Sequence, residues 1–224
     1  MSDVNDIVAV GLDLKPKTLI QAYSQGVFPW PTPGLPLLWY CPAKRAVLSF
    51  DQLHIPRRLK QYLKKSEWTF TIDCAFTKVI QACSERGDEG TWILPEMKLA
   101  YTELYALGYA HSVEVWKGPE LIGGLYGVDV AGTFSGESMF HTVDNASKAA
   151  VLFVVAMLKK AGREFMDIQV MSTHMEKMGA NEITRTQFKK RLTRIQETER
   201  QTGPSTPFSE KQVFVYGDFS KLIE

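Results

Sequence analysis

A chain of 224 residues with 45% hydrophobic content can bury a full core, as one large domain or as one domain with an appendage. Its formal net charge of +1 points to neither a nucleic-acid nor a membrane partner, so any basic surface has to be local. No apolar run is long enough to span a bilayer, and MSDVNDIVAV places no basic segment ahead of an apolar one, so a cytoplasmic protein is expected.

In chain order, the first pattern is a short helix from Lys17 to Ser24, ended by Gly26. VFPWPTPGLPLLWYCPAKR follows. Its prolines forbid long regular structure, and Trp30 and Trp39 are read by default as packing anchors rather than as a stacking surface. The chain divides near residues 43–50, which gives a small N-terminal domain over 1–43 and a larger domain over 44–224. RAVLSF then reads as a strand, Pro56 to Lys65 as a helix, Trp68 to Ile72 as a strand, and Phe76 to Ser84 and Pro95 to Leu107 as helices. HSVEVW (His111 to Trp116) is extended, and LIGGLYGV and GTFSGESMF form a hairpin turning at Asp129 to Gly132. A helix opens near Asn145, a cap-type residue, and ends at Gly162; Val151, Leu152, Val155 and Leu158 give it an apolar face. After the strand MDIQV come a helix from about Thr186 to Glu199, a polar linker and a last strand, KQVFVYGDF. The order predicts an α+β fold.

MDIQV carries the strongest chemical hint. Side chains alternate along a strand, so Asp167 and Gln169 share one face while Met166, Ile168 and Val170 share the other. A carboxylate beside a carboxamide on one face suits the floor of a site. Patterning alone favours an edge strand with a wet face. Either way the polar face is accessible, and substitutions on it are expected to leave the fold intact. Cys41, Cys74 and Cys83 are odd in number and form no CxxC pair, and His54, His111, His141 and His174 lack HExxH spacing. Neither a disulfide framework nor a metal site is indicated. There is no GxSxG, and hence no recognisable covalent nucleophile.

Seven segments in order carry a specific resemblance: GVFPW, EGTWI, HSVEVW, GGLYGV, SGESMF, NASK and DIQ. Together they resemble the bacterial leucyl/phenylalanyl-tRNA–protein transferases, on a fold similar to the GNAT superfamily of N-acyltransferases. The likeness runs from about Ile7 to Leu192. It implies a small N-terminal domain followed by a mixed, largely antiparallel sheet flanked by helices. It also implies transfer of Leu, Phe or Met from aminoacyl-tRNA to the N-terminal Arg or Lys of a protein, marking that protein for N-end-rule degradation. The implied partners are aminoacyl-tRNA and such acceptor proteins; the residues themselves predict no cofactor, no metal and no membrane, and a monomer is expected.

The resemblance also assigns residues. Asp167 and Gln169 match the family's reaction centre, and Glu137 matches a pocket carboxylate that holds an ammonium group. Trp30 and Trp92 match positions that hold the terminal adenosine, where base–indole stacking is worth ~1–3 kcal/mol per base. Leu125, Phe134, Met139, Val154 and Leu158 map onto the aminoacyl pocket, and an apolar lining explains selection of Leu and Phe. The chain departs from the family where LWYCPAKR replaces a common Trp-Ser-Pro-Asp-Pro-Arg form, and where Val154 and Leu158 replace aromatic residues.

The basic cluster Arg57, Arg58, Lys60, Lys64 and Lys65, with Lys44 and Arg45 upstream, is expected to grip tRNA phosphates. A second group, Lys189, Lys190, Arg191 and Arg194, is read as an exposed helix face. Two other functions compete. An acetyl-CoA-dependent N-acetyltransferase would need a glycine-rich phosphate loop before the long helix, and FHTVDNASKAA has no glycine there. A non-catalytic RNA-binding module would not need Asp167 or Gln169 for turnover.

Overall fold

The computed structural model describes residues 6–32, 34–85, 91–205, 207–209 and 212–223. Glu89 and Gly90 of EGTWI, and Lys211 of the expected last strand, lie outside the described residues.

The N-terminal region is more ordered than its prolines suggest. A helix, α1 (Pro16–Ser24), packs beside a three-stranded antiparallel sheet of β1 (Ile7–Val10), β2 (Phe28–Trp30) and β3 (Leu38–Tyr40), in the order β1-β3-β2. Strands of three or four residues leave too little alternation to be seen in sequence. Pro29 is tolerated because β2 is an edge strand, where its missing N–H costs no ladder bond. Leu19, Phe28 and Trp39 of this region are buried with Phe76, Val79, Met97 and Tyr126 in one apolar cluster. Trp39 is therefore the packing anchor expected of it.

The rest is an eight-stranded mixed sheet. Its strands are β4 (Lys44–Ser49), β5 (Trp68–Ile72), β6 (Ala110–Lys117), β7 (Glu120–Val130), β8 (Thr133–His141), β9 (Phe165–Gln169), β10 (Asn181–Thr184) and β11 (Phe214–Val215). They lie in the order β10-β4-β9-β8-β7-β6-β5-β11. Only β8 and β9 run parallel among the described pairs. The strand order makes β9 an interior strand between β4 and β8, which overturns the edge-strand reading of MDIQV.

Helices cover both faces: α2 (Arg57–Lys65), α3 (Phe76–Ser84), α4 (Pro95–Ala106), α5 (Ala146–Lys160), α6 (Thr173–Lys177), α7 (Arg185–Thr202) and α8 (Tyr216–Phe219). Every residue of α5 from Ala146 to Leu158 except Lys148 is buried, so its apolar surface extends all round rather than along one stripe. The sheet covers one side of α5, and Phe214, Tyr216, Phe219 and Ile223 from the C-terminal segment lie in the same apolar cluster. That segment is not the long strand expected. β11 is two residues long, because Asp218 accepts a hydrogen bond from the Val215 N–H (2.7 Å) and turns the chain into α8. Asn145 likewise begins α5 without a side-chain cap; it holds a left-handed φ of 74°. At Gly123 of β7 a Cβ would lie 2.6 Å from the Ala146 Cβ, so this glycine lets α5 sit directly on the sheet. Among the described residues no helix is long and apolar enough to cross a membrane.

Candidate active site

Two local departures from strand geometry build the site. β7 and β8 pair Tyr126 with Ser138 and Gly127 with Gly136, so Glu137 is the extra residue of a β-bulge. A bulge re-aims the side chain it carries. Glu137 accepts hydrogen bonds from Tyr23 Oη (2.8 Å) and Tyr101 Oη (3.1 Å), and the two tyrosine hydroxyls lie 2.7 Å apart. The second departure is at Gln169, whose φ is +63°. Val170 N–H donates to the Ile168 carbonyl at 2.7 Å, which closes a tight three-residue turn around Gln169. A positive φ outside glycine is a strained state that surrounding contacts must hold. The turn sends the Gln169 carboxamide to Glu137, with Nε2 donating to Oε1 at 2.7 Å.

Asp167 is what holds the turn. Its carboxylate accepts from the Gln169 backbone N–H (3.0 Å), Ser135 Oγ (2.9 Å), Arg45 Nε (2.8 Å) and Arg45 Nη2 (2.7 Å). Both members of the Arg45–Asp167 pair are almost wholly buried, with side chains 2% and 1% exposed. The guanidinium lies between the rings of Phe28 (4.7 Å) and Phe188 (4.5 Å), and its Nη1 donates to the Gly26 carbonyl at 3.0 Å. Gly26 is required twice over. Its φ is +74°, and a Cβ would come within 2.7 Å of the Phe188 ring.

Asp167 is thus not on an accessible face, and Arg45 is not part of a basic surface; each neutralises the other in the interior. The polar floor of the neighbouring cavity is made instead by Glu137 and Gln169. They line a cavity of about 260 Å³ together with Leu125, Met139, Met166 and Ile168. Trp30 and Trp92 line it too, and Val170 and Met171 connect it to a groove of about 680 Å³ bordered by Asp6, Lys44 and Glu182. The two indoles are stacked on each other, 5.7 Å apart and 17° from parallel. That spacing is a direct aromatic contact and leaves no room for a base between the rings.

Burial pushes the Glu137 carboxyl up to about 7, the charge of Asp167 adds to the rise, and the bonds from Tyr23, Tyr101 and Gln169 oppose it. Burial, reinforced by Glu137, holds the Tyr23 and Tyr101 hydroxyls well above their usual range, so both remain donors.

The expected aminoacyl lining divides. Leu125 and Met139 face the cavity. Phe134, Val154 and Leu158 do not line it; they are 1% exposed or less and belong to the core beneath, where Phe134 packs on Phe208 at 5.0 Å. The reason is that α5 is sealed between two layers. Four methionines, Met139, Met166, Met171 and Met175, line the cavity instead. Sequence reasoning missed Tyr23, Tyr101, Ser135 and the true place of Arg45. A lone arginine opening an apolar strand was the available signal for the last. On α2, Arg57, Arg58, Lys64 and Lys65 are exposed and Lys60 is half-buried; none of them lines the cavity.

The family described as "Leucyl/phenylalanyl-tRNA protein transferase" matches residues 47–193, and its N-terminal domain matches residues 12–43. A protein of Shewanella denitrificans is 43% identical over 213 residues, covering 95% of this chain and 90% of its own length. One from Nitratidesulfovibrio vulgaris strain DP4 is 46% identical over 185 residues, covering 81% of this chain and 79% of its own. Both carry the name leucyl/phenylalanyl-tRNA–protein transferase. The two family matches span the cavity walls from Trp30 to Met175.

Proposed function

This chain belongs to the leucyl/phenylalanyl-tRNA–protein transferase family, and on that premise we propose that it moves Leu, Phe or Met from aminoacyl-tRNA to the N-terminal Arg or Lys of acceptor proteins. The product is a protein marked for N-end-rule degradation. We further take the enzyme to be a cytoplasmic monomer that works without a cofactor, with residues 1–43 as a small N-terminal unit.

The observation that carries this reading is the convergence of Glu137 and Gln169 at the floor of an apolar cavity whose rim holds Trp30 and Trp92. The aminoacyl side chain fits among Leu125, Met139 and Met166, and the terminal adenine stacks on an outer face of the indole pair. Glu137, as a carboxylate, holds an ammonium group. Because Gln169 Nε2 is engaged by Glu137, its Oε1 is the end that accepts from the attacking amine.

The chemistry needs no covalent intermediate on the enzyme. The acceptor's α-amine adds to the ester carbonyl, giving a tetrahedral oxyanion. Collapse expels the ribose oxygen, which takes up the proton that the amine loses, so the products are a peptide bond and a free tRNA 3′ end. Holding amine and ester in register supplies most of the advantage. Asp167 acts as a positioning residue. It touches neither reactant but fixes the Gln169 backbone in its strained turn. Incubating the protein with Phe-tRNA and a peptide beginning with Arg should yield a peptide heavier by one phenylalanyl residue in mass spectrometry. No extended peptide with either Leu- or Phe-tRNA would overturn the proposal.

A further inference from the structure

A second cavity lies away from the reaction site and has a different character. It is a cleft of about 800 Å³ where the ends of β4 and α5, the turn before β9, and α7 meet. Cationic side chains reach it from three separate segments: Lys159 from α5, Arg163 from the turn, and Lys190, Arg191 and Arg194 from α7. Two carboxylates, Asp51 and Glu164, line it as well. In a chain whose net charge is only +1, that imbalance is concentrated and local.

Some of this charge is matched within the fold. Arg163 is turned inward to Asp129 (3.4 Å) and Glu199 (3.2 Å), and Arg194 pairs with Glu164. Lys159, Lys190 and Arg191 then outweigh Asp51. Arg191 is held ready, with its guanidinium 5.3 Å from the Phe165 ring and its Nη1 donating to Ser49 Oγ at 3.1 Å. A helix face that is merely solvated is convex. Here cations from three segments line one concavity, a shape and charge that suit a polyanion such as a phosphodiester backbone.

The position fits the same substrate. β4 and β9 pair Ala46 with Gln169 at the reaction end and Ser49 with Phe165 at the cleft end. The cleft therefore begins about 13 Å from Gln169 along β9, at ~3.3 Å per residue. One polynucleotide can reach both places.

We propose that this cleft binds the phosphodiester backbone of the donor tRNA beyond its 3′-terminal nucleotide, as a second anchor separate from the exposed cations of α2. The inference rests on the aminoacyl-transfer reading for the identity of the polyanion. Lys190 and Arg191, read from the sequence as part of a plain helix face, then become part of the substrate surface.

The test is a Lys159→Gln/Lys190→Gln variant of the full chain, studied by equilibrium binding of uncharged tRNA and by transfer kinetics. Each lost phosphate contact lowers the slope of log affinity against log salt by about 0.9, so raising salt from about 50 to about 200 mM should weaken the wild type roughly tenfold more than the variant. The KM for Phe-tRNA should rise at low salt. Transfer from 3′-phenylalanyl-adenosine, which has no backbone phosphate, should keep its wild-type rate. An unchanged salt slope and unchanged KM for tRNA would overturn the proposal. So would a rise confined to the KM of the acceptor, which would make the cleft a protein-docking site. If the wild type transfers nothing from either donor, the function fails; a cleft-dependent salt slope in the binding experiment would still uphold the cleft as a polyanion site.

Discussion

Arg45 and Asp167 form a buried, two-point ion pair across 122 residues of sequence, and the second partner also accepts the backbone N–H of Gln169. Charge stability and site geometry thus share one carboxylate. Removing one member of such a pair leaves the other charge buried and uncompensated, which costs ~3–5 kcal/mol. Asp167→Asn should therefore lower both the denaturation midpoint and turnover, contrary to what an accessible face would allow. A double variant, Arg45→Met/Asp167→Leu, should regain much of the stability and none of the turnover. Urea unfolding beside steady-state kinetics checks this. A stable, fully active Asp167→Asn would remove the positioning role.

The second prediction concerns pH. Glu137 has a folded-state value of about 7, raised above its ordinary 4.5, so the folded protein holds this proton more tightly than the unfolded chain does. The stability it contributes is complete below about 4.5 and is lost as pH rises through about 7. The carboxylate proposed to hold an ammonium appears over the same interval. Between pH 5 and 8, kcat/KM should rise with a midpoint near 7 while stability falls slightly. Glu137→Gln should abolish both trends. A variant retaining the same activity limb would assign it to another group.

The third prediction separates cavity lining from core. Met139→Ala enlarges the cavity and should change the ratio of kcat/KM for Phe-tRNA over Leu-tRNA, on the order of tenfold or more. Leu158→Ala should instead cost ~2–5 kcal/mol of stability and leave that ratio nearly unchanged. Competition between the two charged tRNAs, with a thermal melt of each variant, distinguishes them.

How far the sequence revealed all this depends on how local each cause is. The helix α4 and the strand β5 are visible because their patterns are complete within themselves. The three strands of the N-terminal sheet are too short, and β10, with only four residues and an alternating burial pattern at a sheet edge, is too short as well. Alternation in MDIQV put Asp167 and Gln169 on one face, but Gln169 leaves the strand through a positive φ that no residue type in the segment announces. Glu137 was identifiable only through family likeness, because its bulge is a property of the β7–β8 register rather than of SGESMF. Val154 and Leu158 were assigned to the pocket by family likeness, and their apolar character could not correct it, because a helix buried all round and a helix facing a pocket look alike in sequence.

The fourth prediction tests the cations of α2. Reversing the charge of Arg57, Arg58 and Lys64, which are exposed, should raise the KM for tRNA and leave saturated turnover nearly intact. The buried Leu59 and Leu63 keep the helix docked in such a variant. Unchanged tRNA affinity would make this cluster a solvated face.

The most direct test of the account is the chemical step itself, measured by single-turnover transfer from 3′-phenylalanyl-adenosine to an Arg-initiated peptide, comparing wild type with Gln169→Ala. With saturating donor, loss of the carboxamide proposed to receive the amine should slow the step by about 10² or more without weakening donor binding. A Gln169→Ala enzyme that transfers at the wild-type rate would contradict the placing of the reaction at the Glu137–Gln169 floor.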